Sequence, residues 1–127
     1  MTTTDPTGFF AAYFAALDGD EPLSALEMVA DDADFAILFA ADEGRKAGHF
    51  RGGPDELRKF TLAGDMEGWA HYILAASRTG DVELVLGETR TDAGEFIGSF
   101  VCVVELDAEG RMKRYLTGRS PAIRFSV

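Results

Sequence analysis

Residues 69–125, WAHYILAASRTGDVELVLGETRTDAGEFIGSFVCVVELDAEGRMKRYLTGRSPAIRF, hold four apolar stretches separated by three short turns, Arg78-Thr79-Gly80-Asp81, Thr91-Asp92-Ala93-Gly94 and Asp107-Ala108-Glu109-Gly110. Each turn supplies a glycine where a positive φ is needed and an Asp whose carboxylate can bond the local backbone. The stretch is therefore predicted to run as one antiparallel meander. Within it, Phe100-Val101-Cys102-Val103-Val104 shows no alternation, so that strand is expected to be buried on both faces. A sheet of this length, preceded by only short helical patterns, is a curved scaffold that wraps a cavity.

Upstream, Asp5-Pro6 reads as a helix start, followed by Phe9, Phe10, Tyr13, Phe14 and Leu17 on one broad aromatic face. That helix stops at Asp18-Gly19-Asp20. Asp20-Glu21-Pro22 opens a second, shorter helix carrying Leu23, Leu26 and Val29 or Ala30. A buried strand is expected over Asp34–Ala40, then a polar, glycine-rich loop or loose hairpin over 41–53 with a minor strand at His49-Phe50-Arg51. Gly53-Pro54-Asp55-Glu56 starts a third helix, with Leu57, Phe60 and Thr61, ending near Gly64. No linker or repeat interrupts residues 1–127, so a single domain is expected.

Composition excludes several functions. Twelve basic and 22 acidic residues give a formal charge of −10, which repels nucleic acid and anionic lipid, so neither is expected as a partner. With 46% hydrophobic and 27% charged residues the chain is neither disordered nor membrane-spanning in type. Cys102 is the only cysteine, so no internal disulfide can form, and Met-Thr-Thr-Thr-Asp-Pro lacks the features of a signal peptide; a cytoplasmic address is the expectation. Two isolated histidines show no metal-ligand spacing, and no glycine-rich phosphate loop or serine elbow is present, so no metal or cofactor is expected.

The order helix, helix, strand, helix, meander resembles the nuclear transport factor 2-like superfamily, in particular its SnoaL-like polyketide cyclase and ketosteroid isomerase branches. The residues carrying the likeness are Tyr13-Phe14-Ala15-Ala16-Leu17 with Asp18-Gly19-Asp20, Val29-Ala30-Asp31-Asp32-Ala33, Phe50-Arg51-Gly52-Gly53 and Leu106-Asp107-Ala108-Glu109-Gly110-Arg111-Met112. The resemblance implies a cystatin-like, cone-shaped α+β fold: a curved antiparallel sheet wrapped around N-terminal helices, with a pocket between sheet and first helix. It also implies a site of one helix tyrosine, a carboxylate base and a second, protonated carboxylic acid. The tyrosine falls on Tyr13, but the base falls on Ile37 and the neutral acid on Cys102. Steroid isomerisation by that mechanism is therefore not expected.

Strand parity extends the candidate lining. Phe35 and Phe39 share the face of Ile37, Phe100 and Val104 that of Cys102, while Tyr115, Thr117 and Arg119 share one face of the last strand. Phe35, Ile37, Cys102, Tyr115 and Arg119, with Trp69, which shares the parity of His71 on the first meander strand, are thus candidate ligand contacts for a small hydrophobic molecule. His71 and Tyr13 are the candidate catalytic pair. His71 is either a core or rim histidine bonded to a backbone carbonyl or a proton carrier. Tyr13 either polarises a ligand oxygen or anchors its helix. Arg119 either binds ligand charge or pairs with an acidic residue. His49 is expected to face solvent, Asp31 and Asp32 to cap a turn, Asp34 to point away from Ile37, and Cys102 to act as a small buried hydrophobe. The functional alternatives are an acid/base enzyme of the cyclase, dehydratase or isomerase class, a non-catalytic ligand-binding domain, or a dimerisation module. The apolar outer face of the sheet is expected to join two copies as a homodimer.

Overall fold

Gly8 opens the first helix with extended backbone and no side chain to offer the helix N-terminus, and a residue far along the chain supplies the missing acceptors. The Phe9 and Phe10 amides donate to Glu83 Oε1 and Oε2 at 2.9 and 2.8 Å. Unbonded amides and the helix dipole both favour a carboxylate there. The computed structural model describes residues 8–39, 48–62 and 68–126; the Asp5-Pro6 start signal lies outside them. The elements are α1 (Phe9–Leu17), a 3₁₀ segment (Pro22–Met28), β1 (Val29–Phe39), β2 (Gly48–Gly52), α2 (Pro54–Leu62), β3 (Trp69–Thr79), β4 (Val82–Thr91), β5 (Phe96–Leu106) and β6 (Met112–Ser120).

The expected meander is present as β3–β4–β5–β6, paired antiparallel throughout. Its three turn glycines, Gly80, Gly94 and Gly110, all adopt positive φ. β1 adds to the far side of β6 in parallel, and β2 pairs antiparallel with β1, so the sheet is six-stranded and mixed, in the order β2-β1-β6-β5-β4-β3. Irregular registers in β1 against β6, β3 against β4, β4 against β5 and β5 against β6 mark the positions where ladders bend. Architecture and class are those expected: an α+β fold with a curved sheet and helices on one face.

Three local expectations are corrected. The second helix is a 3₁₀ segment, and it ends at Met28 because Val29 and Ala30 enter β1. β1 begins at Val29 rather than Asp34, through an irregular register between Val29 and Asp34. Asp31 and Asp32 consequently stand exposed within a strand and cap no turn.

Cross-strand rows order the helix-facing side of the sheet. Ile37, Thr117, Cys102 and Val85 form one row, Phe39, Arg119, Phe100, Gly87 and Ile73 the next, and Phe35, Tyr115, Val104 and Glu83 another. Gly87 is required here: a Cβ would stand 2.4 Å from the Phe100 ring and 2.6 Å from the Tyr72 carbonyl. The aromatic side of α1 packs on these rows, burying Phe9, Phe10, Tyr13 and Phe14.

Among the described residues the opposite side of the sheet carries no helix. Leu38, Gly118, Val101 and Leu86 form one row and Ala36, Leu116, Val103 and Leu84 its neighbour. Leu38, Leu84, Val101 and Leu116 are exposed. At one end the tail crosses this face: Ser99 Oγ donates to the Ile123 carbonyl at 2.6 Å, and Arg124 and Arg90 both reach the buried Glu88 carboxylate. Burial pushes the Glu88 carboxyl up, but a hydrogen bond from Ser126 and the charges of Arg90 and Arg124 outweigh it and hold it below the ordinary carboxylate range.

Candidate functional site

The end of α1 brings a carboxylate to the edge strand. Asp18, the residue after the helix, accepts the His71 backbone N–H on Oδ2 at 2.7 Å, while its Oδ1 lies 2.8 Å from His71 Nδ1. The ring is also held by packing: it stacks on Phe14 at 4.4 Å between centroids and 4° between planes, and meets Phe100 edge-on at 5.5 Å. The His71 side chain is 8% exposed and that of Asp18 20%. With Nδ1 committed to a carboxylate, the neutral ring carries its proton there and leaves the Nε2 lone pair free. Nε2 makes no hydrogen bond to another described residue, and His71 lines a hollow between the sheet and the two helices.

Tyr13, Phe14 and Leu17 of α1 wall that hollow on one side and Leu57, Phe60 and Thr61 of α2 on another; Ile37, His71, Phe100, Cys102, Tyr115, Thr117 and Arg119 form its base. Of the sequence candidates, Tyr13, Ile37, His71, Cys102, Tyr115 and Arg119 converge here. Phe35 faces the same side but is packed into the core beside Tyr115 and does not line the hollow. Trp69 also lies outside its wall, with the Arg119 guanidinium 5.4 Å from its ring. Arg119 sits 5.4 Å from the Phe39 ring as well and donates to Thr89 Oγ1 at 2.7 Å. The volume of the hollow is only about 30 Å³, room for about two waters and well short of the roughly 150 Å³ apolar cavity that admits benzene. It is narrower than the resemblance implies.

The polar groups at its base are kept uncharged. Burial, with Cys102 alongside, raises the Tyr13 phenol above its ordinary range, and burial does the same to Tyr115. Burial also pushes the Cys102 thiol up to about 11, against hydrogen bonds with Thr117 and Tyr115. Thr117 Oγ1 donates to the Val101 carbonyl at 3.2 Å and lies 2.9 Å from Cys102 Sγ. Cys102 is thus a neutral, hydrogen-bonded thiol as well as a filler.

Of the remaining candidates, Asp34 points outward as parity requires and pairs with Arg51 at 3.3 Å, and His49 is exposed on β2. Among the described residues no group of three His, Cys, Asp or Glu side chains is placed to hold a metal, and no helix is long and apolar enough to cross a membrane. Asp18 is the site residue that sequence reasoning missed. Asp18-Gly19-Asp20 reads as a helix stop, and its partner lies 53 positions away.

No protein-family model matches this sequence, and no curated protein matches it significantly. Solved structures do. A protein from Agrobacterium tumefaciens, assigned as an isomerase of the SnoaL-like family, superposes with a TM-score of 0.69 at 13% identity over 87% of this chain and 93% of that one. Wild-type IdmH from Streptomyces antibioticus, assigned as a polyketide cyclase, gives 0.64 at 18% identity over 91% and 92%. A protein of ketosteroid isomerase-like fold from Catenulispora acidiphila, solved in complex with trimethylamine, gives 0.65 at 16% identity over 90% and 85%. At such identities the likeness establishes architecture and not activity. The chain has the nuclear transport factor 2-like fold, in the form shared by SnoaL-like and ketosteroid isomerase-like proteins.

Proposed function

We propose that this protein is a SnoaL-like acid/base catalyst, acting without a cofactor on a small hydrophobic ketone or aldehyde, with His71 as the general base. The observation that carries this reading is the double clamp of Asp18 on His71, which fixes both the backbone and the imidazole of one residue at the hollow. Asp18 is a positioning residue: it orients the ring and stabilises the imidazolium that forms. Nε2 takes a proton from the carbon next to the carbonyl. The C–H electron pair becomes the new C=C bond, and the carbonyl π pair moves onto oxygen. Tyr13, a phenol protonated at neutral pH and kept so by burial to higher pH, donates to that oxygen as it becomes negative. His71 then returns the proton to the same or a neighbouring carbon.

The two carboxyl groups of the steroid isomerases are replaced by Ile37 and Cys102, so the base has moved from β1 to β3. A hollow of about 30 Å³ restricts the substrate to the smallest ketones and aldehydes. Trimethylamine, bound by one protein of the same fold, is a molecule of that size. The test is base-catalysed exchange: in D₂O the protein should carry deuterium into the α-position of acetone or a short aldehyde faster than its His71→Ala variant does.

We propose further that a second copy covers the outer sheet face. The apolar rows through Leu38, Val101, Leu116 and Leu84 are bordered on one side by the charged row Asp34, Arg114 and Glu105. An apolar centre with a polar rim is the anatomy of a protein–protein interface.

A further inference from the structure

We infer that Phe14 is a second positioning residue for His71, and that through the face of its ring it stabilises the imidazolium formed when Nε2 takes a proton. This rests on the reading of His71 as the base and adds a residue that acts through the imidazole rather than on the substrate.

Helical spacing delivers the arrangement. Phe10, Phe14 and Asp18 stand at i, i+4 and i+8, so one side of α1 and its end carries all three. Phe10 stacks on Phe14 at 5.4 Å and 22°, and Phe14 stacks on His71 at 4.4 Å and 4°, which makes the imidazole the third ring of a pile. Phe14 is 4% exposed and meets Phe100 edge-on at 5.3 Å, so it has little room to turn away.

The two contacts that α1 makes with the imidazole have different consequences. Asp18 Oδ1, 2.8 Å from Nδ1, fixes where one nitrogen points but leaves the ring free to tilt about that bond. The parallel phenyl face removes the tilt, so the direction of Nε2 is set before a substrate arrives. Phe14 also acts electrically. A phenyl face is the negative part of the ring quadrupole, and a cation within about 6 Å of the centroid is attracted to it, more strongly where water is excluded.

The surroundings decide how much that attraction matters. The His71 side chain is 8% exposed, and such burial opposes a charged ring. Asp18 favours the charge, while Arg119, on the same wall and bonded to the Thr89 that lies opposite His71, opposes it. Tyr13, Cys102 and Tyr115 are uncharged at neutral pH, and Leu57, Phe60 and Thr61 bring no charge from α2. Phe14 therefore joins Asp18 in favouring the imidazolium. Its attraction acts only once charge has formed on the ring, and an interaction stronger after proton transfer than before it lowers the barrier.

The test is a ¹⁵N NMR titration of the histidine-labelled whole protein, with the exposed His49 of β2 as internal reference. Phe14→Leu should weaken proton uptake by His71 about fivefold, which moves its midpoint about 0.7 pH unit to the acid side and leaves His49 unmoved. Pentafluorophenylalanine placed at position 14 keeps the stacked ring but reverses the sign of its face, and should move the midpoint in the same direction. The acid limb of acetone exchange should follow. An unchanged His71 midpoint in the fluorinated protein overturns the inference, even where Phe14→Leu fails to fold. If the midpoint moves as expected but no deuterium enters acetone in the wild type, the hold of Phe14 on the imidazolium stands and the His71 chemistry fails.

Discussion

Asp18 holds His71 by two bonds at once, one to its backbone and one to its ring, at 2.7 and 2.8 Å. The helix end and the edge strand are thereby tied at the point where the imidazole meets the hollow. In ¹⁵N NMR of the neutral ring, Nδ1 should carry the proton and Nε2 the lone pair. Asp18→Asn keeps an acceptor for the backbone amide but loses the charge that supports an imidazolium. It should lower any proton-transfer rate about 10²–10⁴-fold, the usual scale for general acid–base catalysis, while leaving acetone binding nearly unchanged. A predominant Nε2–H tautomer would show the clamp to be structural only.

Glu83 caps α1 from across the sheet, so the aromatic helix that walls the site depends on one carboxylate of β4. Glu83→Ala strands two amides at a buried helix start and should cost about 2–4 kcal/mol in chemical unfolding. Glu83→Gln keeps one acceptor oxygen and should cost less than Glu83→Ala. Equal stability of Glu83→Ala and wild type would refute the capping role.

Stability should fall at alkaline pH. The Cys102 thiol is held near 11 by burial against an ordinary 9.0. Between those values the unfolded chain has lost a proton that the folded one keeps, so stability declines as pH rises, by about 3 kcal/mol in all. The buried phenols add to the decline in the same direction once the pH passes their unfolded value of about 10. Urea midpoints at pH 8 to 11 should therefore drop steadily, and in Cys102→Ala the drop should begin about one unit later.

The bare outer face makes a prediction about assembly. Leu116 is 47% exposed and Val101 58%, both central to adjacent apolar rows. Light scattering should give a dimer for the wild type and a monomer for Leu116→Glu or Val101→Glu, since an unpaired charge at the centre of an apolar interface is strongly unfavourable. A monomeric wild type at micromolar concentration would contradict the pairing.

How much of this was legible in the sequence depended on distance along the chain. Gly80, Gly94 and Gly110 declared the turns of β3 to β6, because a positive φ is a local requirement that glycine meets. Parity placed Ile37, Cys102, Tyr115, Thr117 and Arg119 on one face because side chains alternate regardless of what they meet. Asp31 and Asp32 were misplaced because the irregular register between Val29 and Asp34 adds residues that no alternation announces. Asp18 and Glu83 stayed hidden because their partners lie 53 positions away in one case and 73 and 74 in the other. A carboxylate just after a helix reads as a stop signal, and one near a strand start reads as surface. Only the fold reveals what each one bonds.

The most direct measurement of the central claim is deuterium entry into the α-position of acetone in D₂O, followed by proton NMR with wild-type protein and with His71→Ala. Exchange above the protein-free rate, lost in His71→Ala, is the predicted result. Equal rates for the two proteins would contradict it.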